Sequence, residues 1–529
     1  MVNQAKRLLG RANQRQTVGA AALMISAAYL LSRLLGLLRD RLLVTHYGIG
    51  PVADAYNAAF RLPEMLFTLL VSGAFAVAFI PILAKHLQTE QRKQAWELTS
   101  TLLNLLVLAT VGGGIIIGIF ADPLTTLISP GFDPFRHQLA VNLTRIMLIS
   151  PVMFAVSSVL GSVQQAFNRF LIFSLAGVFY NVGIIVGILW LSPHAGIYGV
   201  AWGVVIGVVL QALLQGLGLM GLGFRYRLQL NLRLSGVRQT LKLMLPRSID
   251  QGIDQINFAV GTIIGSTLHE GSIAAFTYAN NLKNVPLVLI ASSITTAVFP
   301  RLATRAAEGA RTELIETYVQ TARLILFMAV PAAVFTVIGR GYLVRLLYAS
   351  GSLETANTLG WFAGTIIFTS LFFLVSRIYY AMQDTRTPLY LSLASVPIDI
   401  VLSIVLARRY GVAGLAMSAS IVAALETIAL MVILRLRQGR FGERAIWSGA
   451  WRMGIAAAIM APVLYLSISH LLPLYAIDRG FWVLAPKFAL LLIIGLTAYL
   501  APCYILGLKE ASNIVARIKD IMVRSLNLT

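Results

Sequence analysis

Apolar residues run along this chain in repeated stretches near 20 residues, separated by short polar segments. Each stretch is long enough for a helix to cross about 30 Å of hydrocarbon. Read in order, the runs predict about fourteen spans. They begin near residues 18, 52, 97, 140, 170, 196, 241, 272, 316, 357, 388, 412, 447 and 481. The expected fold class is all-α, a polytopic membrane protein. Lys6, Arg7, Arg11 and Arg15 precede the first run much as in a secretory n-region. That run continues into Arg33 and Arg39 with no small-residue cleavage site, so it reads as an uncleaved first span.

Composition supports this reading. Of 529 residues, 58% are hydrophobic and 12% charged, which excludes a soluble enzyme and a disordered chain alike. The net charge is 42 − 21 = +21. In a soluble protein that excess would point to nucleic acid. Here the basic residues sit between apolar runs, where they set orientation instead. The N-terminal tail, 85–95, 223–242, 301–312, 435–446 and the tail after 508 are basic, whereas 192–196 and 267–271 carry no Lys or Arg. Roughly 28 Lys and Arg fall on one side and about 8 on the other, which places both termini in the cytoplasm. An even span number agrees. Cys503, alone in an apolar run, builds neither a disulfide framework nor a Cys-rich metal site.

Two segments about 220 residues apart share a texture, as expected of the duplicated halves of secondary transporters. Asp54-Ala-Tyr-Asn-Ala-Ala-Phe-Arg61-Leu-Pro63 leads to Phe79-Ile-Pro81; Thr277-Tyr278-Ala-Asn-Asn281-Leu-Lys283 and Pro286 lead to Val298-Phe299-Pro300.

Charges inside spans are the informative residues, since each costs roughly 2.5–3.5 kcal/mol or more at a helix centre. The first span carries Arg33, Arg39 and Asp40; Arg33, Gly36 and Asp40 share a face, with Arg39 about 120° round from Arg33. Asp54 and Arg61 open the second span on nearly one face and could pair with each other or with Arg33. Arginine suits a phosphate, because its planar fork donates two parallel hydrogen bonds and stays charged when buried. Arg247, Asp250, Asp254 and Gln255 cluster in the seventh span. Asp399 and Ser403 share a face of the eleventh and, with Asp254, could offer oxygen ligands to a small cation. Glu426 is a further in-span carboxylate, and Arg377 sits near a span end.

Other patterns mislead. Gly216-Leu-Gly218-Leu-Met-Gly221 matches the dinucleotide fingerprint, but no strand precedes it and no helix N-terminus follows. The six histidines show no ligand spacing. No Walker loop is present, and short loops leave little room for a catalytic domain. The chain is not expected to be an enzyme.

The motifs resemble one family. Leu31-Ser32-Arg33-Leu-Leu-Gly36-Leu-Leu-Arg39-Asp40, Ala53-Asp54-Ala55-Tyr56, Phe60-Arg61-Leu-Pro63, Ser72-Gly73-Ala74-Phe75 and Ser129-Pro130-Gly131-Phe132 are similar to the MurJ (MviN) lipid II flippases of the MOP exporter superfamily. So are Gly271-Ser272, Tyr278-Ala279 and Gly411-Val-Ala-Gly414-Leu-Ala. The resemblance covers about residues 18–505. It implies two six-helix lobes, 1–230 and 231–440, around a central cavity, with two extra helices and a cytoplasmic tail over 441–529. It implies alternating access that moves an undecaprenyl-pyrophosphate-linked peptidoglycan precursor to the outer leaflet of the bacterial cytoplasmic membrane. Substrate binding carries over to Arg33, Arg39 and Asp54, with Arg61 where the family often has a basic residue. A sodium ion in some members makes Asp254, Asp399 and Ser403 the candidates for Na+ or H+ coupling; no other cofactor is implied. Phe67 and Asn281 stand where the family usually has cavity arginines, which admits another polyprenyl-linked glycan as the cargo. The expected partners are the lipid substrate, membrane lipids and cell-wall synthesis proteins around a monomer, with no nucleic acid.

Overall fold

The computed structural model describes residues 18–89, 91–348, 352–475, 478, 480–513 and 516, with the backbone alone at 18–23, 72–74, 245–247, 249, 250, 253 and 254. The basic N-terminal tail lies outside the described residues. Among those residues the chain is helical, without strands. Among the described residues twelve helices are long and apolar enough to cross a membrane, where the sequence led to an expectation of about fourteen. The difference lies in Val18–Tyr47, of 30 residues, and Ser235–Ser266, of 32. Both have the length, and the second carries Arg238, Lys242, Arg247, Asp250 and Asp254, which lower its hydropathy.

The chain forms two compact units, Met1–Ile273 and Ala274–Thr529. In the first unit an apolar stripe at helical spacing, Phe75, Phe79 and Leu83, packs on Leu98 and Leu102, Val159 and Val163, and Val237. Val237 belongs to Ser235–Ser266, so that helix shares this core. Elsewhere in the unit, helices Phe170–Val186 and Ile197–Gly218 meet through glycines. A Cβ on Gly183 would lie 2.2 Å from Gly207 Cα, and one on Gly187 2.5 Å from Gly203 Cα. Small residues four apart let helix backbones touch where lipid supplies no hydrophobic drive for association.

The second unit is built around Tyr318, Ile325, Leu374, Ile378 and Leu430. Met453, Met460, Leu491 and Tyr499 of the two C-terminal helices, Glu443–Leu466 and Phe481–Ile505, belong to the same core. Arg323 ties down the segment just after helix Phe481–Ile505 by donating Nε and Nη2 to the Glu510 carboxylate at 2.6 and 3.0 Å.

The two halves of the sequence repeat one order of elements. Pro51–Gln88 and Ser272–Ala307 have 38 and 36 residues; Arg92–Ile119 and Arg311–Ile338 have 28 each. A short helix follows each of the latter, Ala121–Ile128 and Arg340–Tyr348. The starts are offset by 272 − 51 = 221, 311 − 92 = 219 and 412 − 197 = 215 residues. Spans with matching places in this order are interrupted. Pro51–Gln88 breaks at Phe60 and Val71, and Ser272–Ala307 passes into a π-helical turn, Leu287–Ser292, straight after Pro286. Proline removes one backbone donor and crowds the carbonyl four residues back.

Gly203→Val is expected to separate helices Phe170–Val186 and Ile197–Gly218 and to cost about 1–3 kcal/mol or more by overpacking. A lowered thermal unfolding midpoint in detergent measures this. Gly216→Ala, with nothing within 4 Å of the added Cβ, should melt like the parent.

Candidate functional site

Helix Val18–Tyr47 turns Ser32 and Gly36 toward helix Phe170–Val186, where Asn181 Nδ2 donates to the Ser32 carbonyl at 3.1 Å. Arg39 joins this contact. Its Nε and Nη2 donate to Asp40 Oδ1 at 2.9 and 2.7 Å, and its Nη1 to Asn181 Oδ1 at 3.3 Å. Asp40 is buried. Arg33 is exposed, and its guanidinium donates to the Tyr29 hydroxyl one turn back at 2.9 and 2.7 Å.

Asp54 is 1% exposed. Its Oδ2 accepts the Gly271 backbone N–H at 2.6 Å and lies 3.9 Å from Arg136 Nη1. Gly271 has φ +91° and sits against the Ile49 carbonyl; no L side chain adopts that conformation without strain. Arg136 also binds Asp133, which caps helix Pro134–Met147 by accepting the Phe135 N–H. The guanidinium holds the Asp133 carboxyl below its usual range. A second tie lies nearby in sequence, where Gly131 N donates to Ser266 Oγ at 3.2 Å. Asp54 thus draws together three stretches of the first unit, at residues 49–54, 131–136 and 266–271.

Arg61 is 5% exposed, stacks its guanidinium 3.7 Å from the Phe258 ring centroid and reaches Glu64 Oε2 at 3.3 Å. Its Nε has no hydrogen-bond partner among the described residues. The partners shown for Asp54 and Arg61 are therefore Arg136 and Glu64, rather than each other or Arg33. Phe67 packs on Phe154, which packs edge-on against Tyr180, at 5.0 and 5.3 Å.

In the second unit, Asp399 Oδ1 accepts from Ser418 Oγ at 2.7 Å and from Ser403 Oγ at 3.4 Å. Ser395 donates to Glu426 in the same pair of helices, Arg386–Tyr410 and Val412–Gln438. The Asp254, Arg247 and Asp250 side chains lie outside the described residues. Lys283 sits 4.4 Å over Phe362, and Arg377 5.1 Å over Phe299. Among the described residues, no three His, Cys, Asp or Glu side chains converge as for a metal. Gly218, the middle glycine of the false fingerprint, ends helix Ile197–Gly218 with room only for Gln164 beside it.

Sequence reasoning missed Asn181, Ser418 and Arg136. Asn181 and Ser418 are polar residues in apolar runs. Arg136 follows an Asp-Pro helix start and passes for an ordinary loop charge.

The helical arrangement is that of MOP-superfamily transporters. A multidrug-resistance MATE transporter of that superfamily, in an inward-facing conformation, superposes with a TM-score of 0.65 at 16% identity, over 79% of this chain and 98% of its own. A solved lipid II flippase MurJ, in an inward closed conformation, gives 0.76 at 23% identity, over 91% of this chain and 98% of its own. The family model for lipid II flippase MurJ matches residues 43–485. A probable lipid II flippase MurJ from Bdellovibrio bacteriovorus is 30% identical over 522 residues, covering 96% of this chain and 98% of the relative. Another from Rhizobium meliloti is 28% identical over 468 residues, covering 84% and 86%. The chain belongs to the lipid II flippase MurJ family.

Asp54→Ala is expected to destabilise the first unit by about 1–3 kcal/mol, because it leaves the Gly271 N–H without its acceptor and Arg136 with Asp133 as its remaining carboxylate. Asp54→Asn keeps an acceptor for Gly271 and should lose less. Unfolding midpoints of the two variants in detergent test that ranking.

Proposed function

We infer that this chain carries lipid II, an undecaprenyl-pyrophosphate-linked peptidoglycan precursor, from the inner to the outer leaflet of the bacterial cytoplasmic membrane. The observation that carries this reading is its end-to-end match, 96% of the chain against 98% of a relative bearing that name. The cargo's difficulty is its charged headgroup, which must leave water while the polyprenyl tail stays in lipid. Fixed guanidinium groups replace that water without reorganising. Arg39 is the best prepared of them, since Asp40 and Asn181 hold its orientation. Arg33 supplies a second guanidinium, tied to Tyr29 alone among the described residues. Arg61, buried with one donor unmatched, supplies a third. Asp54 works differently. It clasps Gly271 and Arg136, and breaking and remaking that clasp is its part in alternating access.

Both termini are assigned to the cytoplasm on the asymmetry of basic loops. Outward movement of an anionic headgroup then runs down the membrane potential, worth about 2.3 kcal/mol per charge per 100 mV. Two charges supply roughly 5 kcal/mol, enough to favour outward release without ATP. Asp399, with the hydroxyls of Ser403 and Ser418, is the proposed point of Na+ or H+ coupling. The protein works as a monomer beside cell-wall synthesis proteins. Phe67 fills its place with aromatic packing, and the relatives do not favour the alternative polyprenyl-linked glycan.

In a bacterium depleted of its own lipid II flippase, this chain should restore growth. Arg39→Ala and Arg33→Ala should each abolish rescue at normal membrane levels of protein. Normal growth with either variant removes that arginine from the mechanism. In vesicles, Asp399→Ala should erase any dependence of transport on Na+ or pH; a dependence that persists places the coupling elsewhere.

A further inference from the structure

The stretch between helices Ile197–Gly218 and Ser235–Ser266 has an unusual pattern. From 224 to 234 its residues alternate strictly: Phe224, Tyr226, Leu228, Leu230, Leu232 and Leu234 are apolar, and Arg225, Arg227, Gln229, Asn231 and Arg233 are polar. Such alternation usually marks a half-buried strand, yet residues 224–231 have no regular secondary structure and 232–233 form a turn. It is bound instead along helix Arg92–Ile119. Asn104 Nδ2 donates to the carbonyls of Arg227 and Gln229 at 3.0 and 2.9 Å, and Asn104 Oδ1 accepts from the Tyr226 hydroxyl at 2.7 Å. Arg227 N donates to Ser100 Oγ, and Gln229 Nε2 to the Glu97 carbonyl, both at 3.2 Å.

These bonds fix one register, and that register leaves the leucines outside. Leu228 is 87% exposed, Leu230 53% and Leu232 51%. Hydrocarbon does not host irregular backbone exposed to lipid, because its polar groups go unpaired. Water, in turn, disfavours a row of bare leucines. The headgroup boundary suits both, and the segment follows directly on a helix long and apolar enough to span. Arg225, Arg227 and Arg233 are exposed on the same stretch and match the charge and fork geometry of phospholipid phosphates.

We propose that residues 224–234 form an interfacial strap, whose leucines enter the acyl boundary and whose arginines bind anionic phospholipid headgroups. The strap moors the polar end of helix Arg92–Ile119 to the membrane surface through Asn104. Nothing in this depends on which lipid the protein transports.

Cys503 is the one cysteine of the sequence and is buried, so site-directed spin labels in a Cys503→Ala background test the proposal. The full chain is reconstituted in phosphatidylcholine vesicles with or without phosphatidylglycerol. Labels are placed singly through Leu228→Cys, Leu230→Cys, Asn231→Cys and Leu232→Cys. The ratio of collisions with oxygen to collisions with a water-soluble nickel chelate should be several-fold higher at the three leucine positions than at Asn231. Phosphatidylglycerol should widen this contrast, and Arg225→Gln with Arg233→Gln should remove the widening. Asn104→Ala should mobilise the labels and flatten the alternation, with helical content unchanged. Nickel-dominated collisions at every position would overturn the proposal. So would labels shielded from both reagents, as beneath another protein segment, or a contrast indifferent to both phosphatidylglycerol and the arginines.

Discussion

A polar group inside hydrocarbon has to be satisfied by the protein itself, and this constraint sorts the residues of the bundle. Hydroxyls are absorbed locally: Thr99, Thr240, Thr295 and Thr336 each donate to the carbonyl four residues back on their own helix. A carboxylate cannot do this, since it has no proton to give. Asp54 therefore reaches out of its helix to the Gly271 N–H and toward Arg136, and Asp399 reaches to Ser418 on the neighbouring helix. The side chains that define how helices are arranged are thus the few whose needs their own helix cannot meet.

The spans were legible because hydropathy over a helix length is a strong, local signal. Expected starts at 170, 272, 412 and 481 coincide with, or fall beside, Phe170, Ser272, Val412 and Phe481. Starts expected at 97, 140 and 241 are instead at Arg92, Pro134 and Ser235. There the helix begins in a polar turn, which capping and proline initiation extend beyond the apolar run, as Asp133 and Pro134 do. The breaks at Val71, Leu148 and Phe362 leave no trace in a hydropathy pattern that runs through them.

The candidate site was legible as a set of residues and not as a set of partnerships. Arg33, Arg39, Asp54 and Arg61 stand out because ionised groups are costly in apolar helices. Their partners depend on tertiary structure. Asp54 meets a backbone N–H 217 residues away, at a glycine chosen for its positive φ, and Arg39 meets Asn181 across a helix pair. Face arithmetic on a single helix grouped Arg33 with Asp40. Helix packing instead buries Asp40 and holds Arg39 beside it, while Arg33 stays exposed.

The duplication seen in element order extends to single dihedral angles. Gly196, before helix Ile197–Gly218, has φ 57° and ψ −143°; Gly411, before helix Val412–Gln438, has φ 60° and ψ −143°. Each is the sole residue between two helices, Ser192–Ala195 and Ile197–Gly218 in one copy, Arg386–Tyr410 and Val412–Gln438 in the other. A joint that short has no slack. Neither helix of such a hairpin slides lengthwise without dragging its mate, so each hairpin travels as a single lever. Bending during a transport cycle then falls to the segments already interrupted, above all Pro51–Gln88 and the π-helical turn at Leu287–Ser292.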